Sequence, residues 1–206
     1  MPRKLLPAAL ATVLALSVSS LAPEAAAQST GTPVFHAPYR PFEANEYGLV
    51  ITDQGNISLE GFWGFSQPGA RWDFKLRGGV QDNRGGNAAL LLGVDARFRL
   101  IDQTEDFPLD GALITGVGAS LVEDFSRLFI PIGLSLGRRV NFEGSNMSIV
   151  PYIEPVIIPI IGDGDNDVAV ALGLGGDLRI NRRFELRVGI GLGDIENFSI
   201  GFSITR

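Results

Sequence analysis

The sequence predicts an all-β protein, a closed antiparallel up-and-down β-barrel of about 8 to 10 strands of the transmembrane type. Three observations support this prediction. Residues alternate between an apolar and a polar face, the apolar segments are about ten residues long, and no helical period is sustained beyond the N-terminal stretch. A tilted membrane β-strand needs roughly 9 to 11 residues, whereas a membrane-spanning helix needs about 20.

The alternation is clearest between Asp167 and Thr205, where three runs of it follow one another. Apolar residues occupy every second position, and glycine, alanine, serine or charged residues lie between them. This period of two is typical of strands with one apolar face. The joins at 181–183 and 193–197 are short enough for antiparallel hairpins. The three runs are therefore predicted to be consecutive barrel strands.

Seven further strands are predicted upstream, which makes ten, or eight if the first and the proline-rich segment are not strands. In chain order they cover 47–53, 57–66, 71–81, 90–100, 111–121, 128–138 and 148–160. The last of these carries Pro151, Pro155 and Pro159 at intervals of four. Because proline cannot donate to a ladder, we expect bulges or interrupted pairing there.

The N-terminus has the three parts of a secretory signal peptide. Arg3 and Lys4 form a charged region, residues 8–18 are apolar, and Ala25 to Ala27 form a small-residue cleavage site. The apolar part is short for a spanning helix. We therefore predict a cleaved signal peptide over residues 1–27.

Two segments follow the signal peptide. Residues 28–45 carry no periodicity and are predicted to be an extended leader, and residues 46–206 form the barrel domain. His36, the single histidine, lies in the leader. Membrane-embedded lipid-modifying barrels combine a histidine with a serine or carboxylate, but the sequence places no such partner beside His36. We expect a solvated histidine, no catalytic residue and no enzymatic activity.

Composition limits the possible partners. The chain has no cysteine, so the exported domain is predicted to be stable without disulfides. Removing Arg3, Lys4 and Glu24 from the 17 basic and 23 acidic residues leaves 15 and 22, a net charge near −7. That balance argues against nucleic acid as a partner. The remaining basic residues are 14 arginines and Lys75, which indicates internal ion pairs, because arginine suits them better than lysine does.

Alternation alone does not decide which face points outward. A secreted soluble barrel would hold its apolar face inside, around a small apolar ligand, and a membrane barrel would hold it outside. The small and arginine-rich polar face favours a narrow lumen and hence the membrane arrangement. Aromatic residues near predicted strand ends are typical of interfacial girdles. They are Trp63, Phe65, Trp72, Phe98, Phe129, Phe184 and Phe198.

Charged residues of both signs recur on the polar faces of adjacent strands, at distances where they can pair across the ladder. The predicted lumen ladder consists of Glu60, Asp73, Lys75, Arg77, Asp95, Arg97, Arg99, Asp177, Arg179, Glu185 and Arg187. Such a ladder could line an ion pathway. A lumen of only eight to ten strands is usually filled by its own side chains, so we expect a structural plug of salt bridges.

One acidic turn is a weak candidate for a metal site. Asp163, Asp165 and Asp167 alternate with glycine and asparagine, as hard oxygen ligands for calcium do, but Leu174 stands where a helix-loop-helix calcium loop has its glutamate. A plain acidic turn is the favoured interpretation. The glycine runs match no phosphate-binding loop, because no helix follows them. We therefore expect no cofactor.

Three segments carry a resemblance: FIPIGLSLGRRV at 129–140, PYIEPVIIPI at 151–160, and the long alternating stretch at 172–204. The chain from about Tyr47 onward resembles the small outer-membrane β-barrel proteins of diderm bacteria, the OmpA-like, OmpX-like and opacity-porin-like group. These motifs are generic to the architecture. Members commonly end in an aromatic residue that the assembly machinery recognises, whereas this chain ends Ile204-Thr205-Arg206.

The resemblance implies a non-enzymatic protein of the cell outer membrane with a structural or surface-contact role in the envelope. Its expected partners are outer-membrane lipid and the barrel-assembly machinery, and its expected state is a monomer. Two alternatives remain open at this point: a secreted or periplasmic soluble barrel that binds a small apolar ligand, and a narrow, porin-like pore.

Overall fold

The computed structural model describes residues 35–39, 45–82, 88–123, 125–162 and 166–205. The strands, in chain order, are β1 Glu46–Asp53, β2 Ile57–Ser66, β3 Trp72–Gln81, β4 Ala89–Ile101, β5 Asp110–Val122, β6 Phe125–Phe129, β7 Ile132–Gly137, β8 Val140–Asn141, β9 Ser148–Gly162, β10 Asp167–Arg179, β11 Phe184–Gly193 and β12 Asn197–Thr205. In the described ranges no helix is long and apolar enough to span a membrane.

Each strand pairs antiparallel with its neighbours, and the sheet closes on itself. β1 pairs with both β2 and β12, and β9 pairs with β10. β6 and β7 occupy one position between β5 and β9, so the barrel has ten strand positions, and the two-residue β8 only extends the edge of β9. The predicted closed antiparallel barrel is confirmed, at the upper end of the predicted strand number.

The two ends of the barrel differ in which connections they hold. The near end is where β1 begins and β12 finishes, because Glu46 lies opposite Thr205. It also carries the turns at 67–71, 102–109 and 180–183. The far end carries the turns at 54–56 and 194–196.

The strand predicted over 128–138 is broken into β6 and β7, with Ile130 and Pro131 between them. β9, by contrast, is continuous and pairs with β10 without a register shift from Ser148 to Ile160. The carbonyl of Pro159 accepts a hydrogen bond from the Ile130 N–H at 3.0 Å, so the proline nitrogens face the β6 and β7 side. Pairing is interrupted on that side alone, since proline cannot donate there.

The outer surface is apolar around the whole barrel. Leu76 is 41% exposed, Leu92 48% and Val188 37%, and 34 large apolar side chains are exposed in the described residues. Soluble monomers rarely expose contiguous apolar patches beyond a few hundred Å². The apolar faces of the alternating strands therefore point outward, which is the membrane arrangement and excludes the arrangement that a soluble barrel requires.

Aromatic side chains cluster on the outside of the near end. Tyr47 stacks on Trp63 at 6.2 Å, Phe65 lies 5.6 Å from both Trp63 and Phe74, and Phe184 stacks on Phe202 at 5.6 Å. Such a belt is typical of a membrane–water interface. The expectation that Phe129 belongs to an interfacial girdle is wrong.

Phe129 is 2% exposed and lies inside the barrel. It belongs to a buried apolar cluster that includes Val156, Ile158 and Ala171 on the inner faces of β9 and β10, and Ile195 from the turn between β11 and β12. The lumen is therefore apolar along β9 and β10. Its charged side chains lie mainly on β1 to β4 and on β11.

Candidate functional site: the barrel lumen

The eleven residues of the lumen ladder lie on the inner faces of β2, β3, β4, β10 and β11. Seven are buried, namely Glu60, Lys75, Arg77, Asp95, Arg97, Asp177 and Glu185. Asp73, Arg99, Arg179 and Arg187 are half-buried. The structure gathers nine of them into three groups, which also contain residues that sequence reasoning did not place in the lumen.

The first group surrounds Asp95 in the middle of the barrel. Arg77 Nε lies 2.9 Å from Asp95 Oδ2, and His36 Nε2 lies 3.4 Å from the same oxygen. On the other side of the imidazole ring, Lys75 Nζ lies 3.4 Å from His36 Nδ1. A lysine ammonium can only donate, so Nδ1 is the acceptor and the ring proton is on Nε2, facing the Asp95 carboxylate.

The second group is centred on Arg187 of β11. Its Nη2 lies 2.6 Å from Glu46 Oε2, and its Nε lies 2.6 Å from Glu185 Oε1 and 3.8 Å from Asp177 Oδ2. These contacts join β10, β11 and β1 across the strand closure. The Phe62 ring connects this group to the first, because Arg187 lies 5.2 Å and Lys75 lies 4.8 Å from its centroid, distances typical of cation–π contacts.

The third group lines the near-end mouth, where a cavity of about 700 Å³ opens. Arg97 Nε lies 2.8 Å from Asp73 Oδ2. Asp102, in the connection after β4, binds Arg71 at 2.7 Å and Arg99 at 2.9 Å. The hydrogen bond from Arg71, with the charge of Arg99, lowers the pKa of Asp102 below its ordinary value. The mouth is thus polar and internally paired.

Both oxygens of the Glu60 carboxylate, on β2, are buried and have no hydrogen-bond partner among the described residues. An isolated buried carboxylate is costly to keep charged. Glu60 is therefore a predicted ladder residue whose whole carboxylate lacks a hydrogen-bond partner in the described part of the lumen.

The expectation that His36 is solvated in an extended leader is wrong. Residues 35–39 run through the lumen, with Phe35 5% exposed and Ala37 fully buried. Phe35 belongs to the same buried cluster as Ile195 at the far end, whereas Pro38 and Tyr39 border the near-end cavity. The segment therefore runs from the far side of the lumen to the near-end mouth. We call residues 35–39 the lumen segment.

Side chains of three strands hold the backbone of the lumen segment. The His36 N–H donates to Glu154 Oε2 at 2.6 Å, and the His36 carbonyl accepts from Ser135 Oγ at 2.5 Å. The Ala37 carbonyl accepts from Arg97 Nη1 at 2.5 Å. The Tyr152 hydroxyl lies 3.4 Å from the carbonyl oxygen of Phe35. Buried side chains of the barrel wall thus accept a hydrogen bond from a backbone N–H of the segment and donate hydrogen bonds to its backbone carbonyls.

Sequence reasoning missed Glu46, Glu154 and the lumen segment as parts of the site. Glu154 is fully buried on β9, on the same inner face as Val150, Tyr152, Val156 and Ile158. The outward positions of β9 are apolar as well, so the strand shows no polar face. The available signal was Glu154 itself, a single charged residue at a position of β9 that faces the lumen.

Two of the three candidate metal ligands of the acidic turn, Asp163 and Asp165, lie outside the described residues. Asp167 begins β10, is exposed, and accepts a hydrogen bond from the Val168 N–H at 2.7 Å. Within the described ranges, no group of three or more His, Cys, Asp and Glu side chains is arranged to hold a metal ion.

Comparison with solved structures supports the assignment of the fold. The beta domain of the Bordetella autotransporter BrkA superposes with a TM-score of 0.52 at 14% identity, over 79% of this chain and all of that one. A de novo designed transmembrane β-barrel matches over 81% of this chain and 98% of its own at 14% identity, with a TM-score of 0.41. A bacterial polysaccharide outer membrane secretin covers 81% of this chain and 66% of its own at 11% identity, with a TM-score of 0.48.

No known protein-family model matches the sequence, and no curated protein does so either. The assignment of the fold rests on the strand pairing, the apolar exterior and the BrkA superposition. The chain has the fold of a general outer-membrane-type β-barrel.

Proposed function

We propose that this chain is a non-enzymatic β-barrel of the bacterial outer membrane with a sealed lumen and a structural or surface-contact role in the cell envelope. The observation that carries the proposal is the combination of an apolar outer surface with a lumen filled by charged pairs and by residues 35–39. Neither feature suits a soluble carrier of apolar ligands, because such a carrier needs an empty apolar interior.

The apolar exterior supports membrane insertion. Transmembrane barrels carry an outward apolar band about 25 Å tall with aromatic girdles, and the ring cluster that runs from Tyr47 to Phe74 provides one such girdle at the near end. Outer-membrane lipid is then the immediate partner. We propose that the barrel-assembly machinery inserts the chain.

The filled lumen supports a sealing rather than a conducting role. Ten strands enclose a narrow interior, and barrels of this size are usually filled by their own side chains. Here Phe35, Ala37 and Pro38 of the lumen segment are buried as well. The near-end cavity is lined in part by Pro38 and Tyr39 of this segment. An ion that enters there meets the lumen segment.

Fractionation and planar-bilayer recording test the proposal together. The protein is expected in the detergent-extracted outer-membrane fraction, and the purified protein is expected to give no conductance steps. Recovery of the protein in the soluble periplasmic or culture fraction without detergent would contradict the membrane location. Reproducible conductance steps from the intact chain would replace the sealed barrel with a narrow pore.

A further inference from the structure

We infer that the barrel lumen is a binding site for an extended peptide and that the lumen segment, residues 35–39, is its resident ligand. The inference concerns what the lumen recognises and does not depend on the membrane location or envelope role proposed above. It rests on the backbone contacts of the segment, on a pocket for the Phe35 ring, and on the cavity that leads to it.

The wall recognises peptide backbone rather than only side chains. Glu154 of β9 accepts the His36 N–H, while Ser135 of β7 and Arg97 of β4 donate to the carbonyls of His36 and Ala37. Donors thus meet carbonyls and an acceptor meets an amide, as a strand partner would, but here side chains make the contacts. Main-chain hydrogen bonds give affinity in peptide recognition, and side-chain pockets give specificity.

A pocket for the Phe35 ring is built into the wall by two glycines. A Cβ at Gly173 of β10 would overlap the ring, and a Cβ at Gly191 of β11 would lie 2.7 Å from it. Contacts of that kind require the neighbour to move, so the absence of both side chains creates the space that the ring fills. Phe35 is therefore the anchor, and the site is specific for an aromatic residue at that position.

Charged groups of the wall contact His36, the residue that follows the Phe35 anchor. His36 lies between Lys75 Nζ and Asp95 Oδ2, at 3.4 Å from each, so the wall offers one donor and one acceptor to the two ring nitrogens. A side chain with an acceptor on the Lys75 side and a donor on the Asp95 side suits both groups. The peptide class is therefore extended, with an aromatic residue followed by histidine and then a small residue.

The near-end cavity of about 700 Å³ provides the route to the site. The buried Pro38 and the half-buried Tyr39 form part of its lining, so the segment meets the cavity at its C-terminal end while Phe35 lies deepest. A peptide can thus leave or enter from the near end once its covalent link to β1 is cut. The site then behaves as a receptor whose ligand exchanges.

The test uses the full chain, so that folding precedes any cut. A site-specific protease sequence is placed between Tyr39 and Glu46, the barrel is folded in detergent, and the link is cleaved. We expect the N-terminal fragment to remain with the barrel on gel filtration. An excess of a synthetic peptide of residues 33–40 should displace it, whereas a scrambled peptide should not.

Two substitutions supply the matched comparison. Phe35→Ala should speed release of the cleaved fragment at least tenfold, whereas Phe198→Ala, which removes an aromatic residue 49% exposed on the outer face, should leave it unchanged. Immediate loss of the fragment on cleavage, or equal release rates for Phe35→Ala and the parent, would overturn the inference.

A second measurement needs no cleavage. The chain has no cysteine, so Ala37→Cys, at a fully buried position, gives a single reporter that a water-soluble thiol reagent should not modify. Adding Gly173→Val should expel the Phe35 ring and raise the labelling rate at least tenfold. Gly176→Val, on the same strand but with only ordinary contact to Ile149, should not. Equal labelling in the two double variants would contradict the inferred pocket.

Discussion

The backbone N–H of His36 donates a 2.6 Å hydrogen bond to Glu154 Oε2, although the two residues are 118 positions apart. Glu154 is fully buried, so its carboxylate is held in the lumen by groups that include the lumen segment. This contact joins the segment to β9.

Glu154→Ala removes the acceptor and leaves the His36 N–H buried without it. We expect the free energy of unfolding in detergent to fall by about 1 to 3 kcal/mol, the usual cost of an unpaired buried polar group. Glu154→Gln keeps an acceptor oxygen and should cost less. Glu143→Ala, at an exposed near-end turn position, is the control. Equal losses for the alanine and glutamine variants would show that the hydrogen bond carries none of the effect.

Arg187→Met tests the charge group at the strand closure. The change leaves Glu46, Glu185 and Asp177 close together without the shared guanidinium, and breaking a buried pair in this way costs about 3 to 5 kcal/mol. Urea unfolding or heat-modifiability on gels measures the loss. Arg182→Met, in an exposed turn, should change stability little. A silent Arg187→Met would mean that the lumen carboxylates are not stabilised by this arginine.

The pKa of Asp102 tests the mouth contacts in solution. Arg71 and Arg99 lower it, so the stabilising ion pairs are complete above the ordinary aspartate pKa and disappear as the pH falls through the lowered value. Arg71→Gln should raise the pKa of Asp102 towards its ordinary value in an NMR titration, and Arg182→Gln should leave it unchanged. An unchanged pKa in Arg71→Gln would contradict the 2.7 Å contact.

The barrel could be predicted because alternation is a direct consequence of strand geometry. Between Asp167 and Thr205 alternate strand residues face outward, and β10, β11 and β12 follow the predicted runs. β9 shows the limit of that signal. Both of its faces are apolar, since Val156 and Ile158 pack inside the lumen, and its inward Glu154 is hidden among them.

The lumen segment could not be predicted, because nothing local determines it. Residues 35–39 have no period, and their contacts are with β4, β7 and β9, about 60 to 120 positions away along the chain. The break between β6 and β7 at Pro131 could not be predicted either, because the apolar alternation continues across it from Leu128 to Leu136. The lumen segment depends on long-range packing inside the closed barrel, whereas the break lies where β6 and β7 meet the proline-bearing edge of β9.

Leu91 and Leu92 are adjacent on β4 and face opposite ways, with 1% and 48% exposure. Leu91→Ala should leave a cavity in the filled lumen and cost about 2 to 5 kcal/mol. Leu92→Ala should cost clearly less, because acyl chains fill the space. Unfolding of both variants in the same bilayer measures the difference. Equal costs would contradict the assignment of inner and outer faces.

The most direct test of the account asks whether the exposed apolar face meets hydrocarbon or water. Leu76, in the middle of β3 and 41% exposed, is changed to arginine, and the free energy of unfolding is measured in a lipid bilayer. A lipid-facing mid-strand arginine should cost about 2 to 4 kcal/mol, and Ile57→Arg at the strand end should cost only about 0 to 1 kcal/mol. A Leu76→Arg variant as stable as the parent would contradict the membrane barrel.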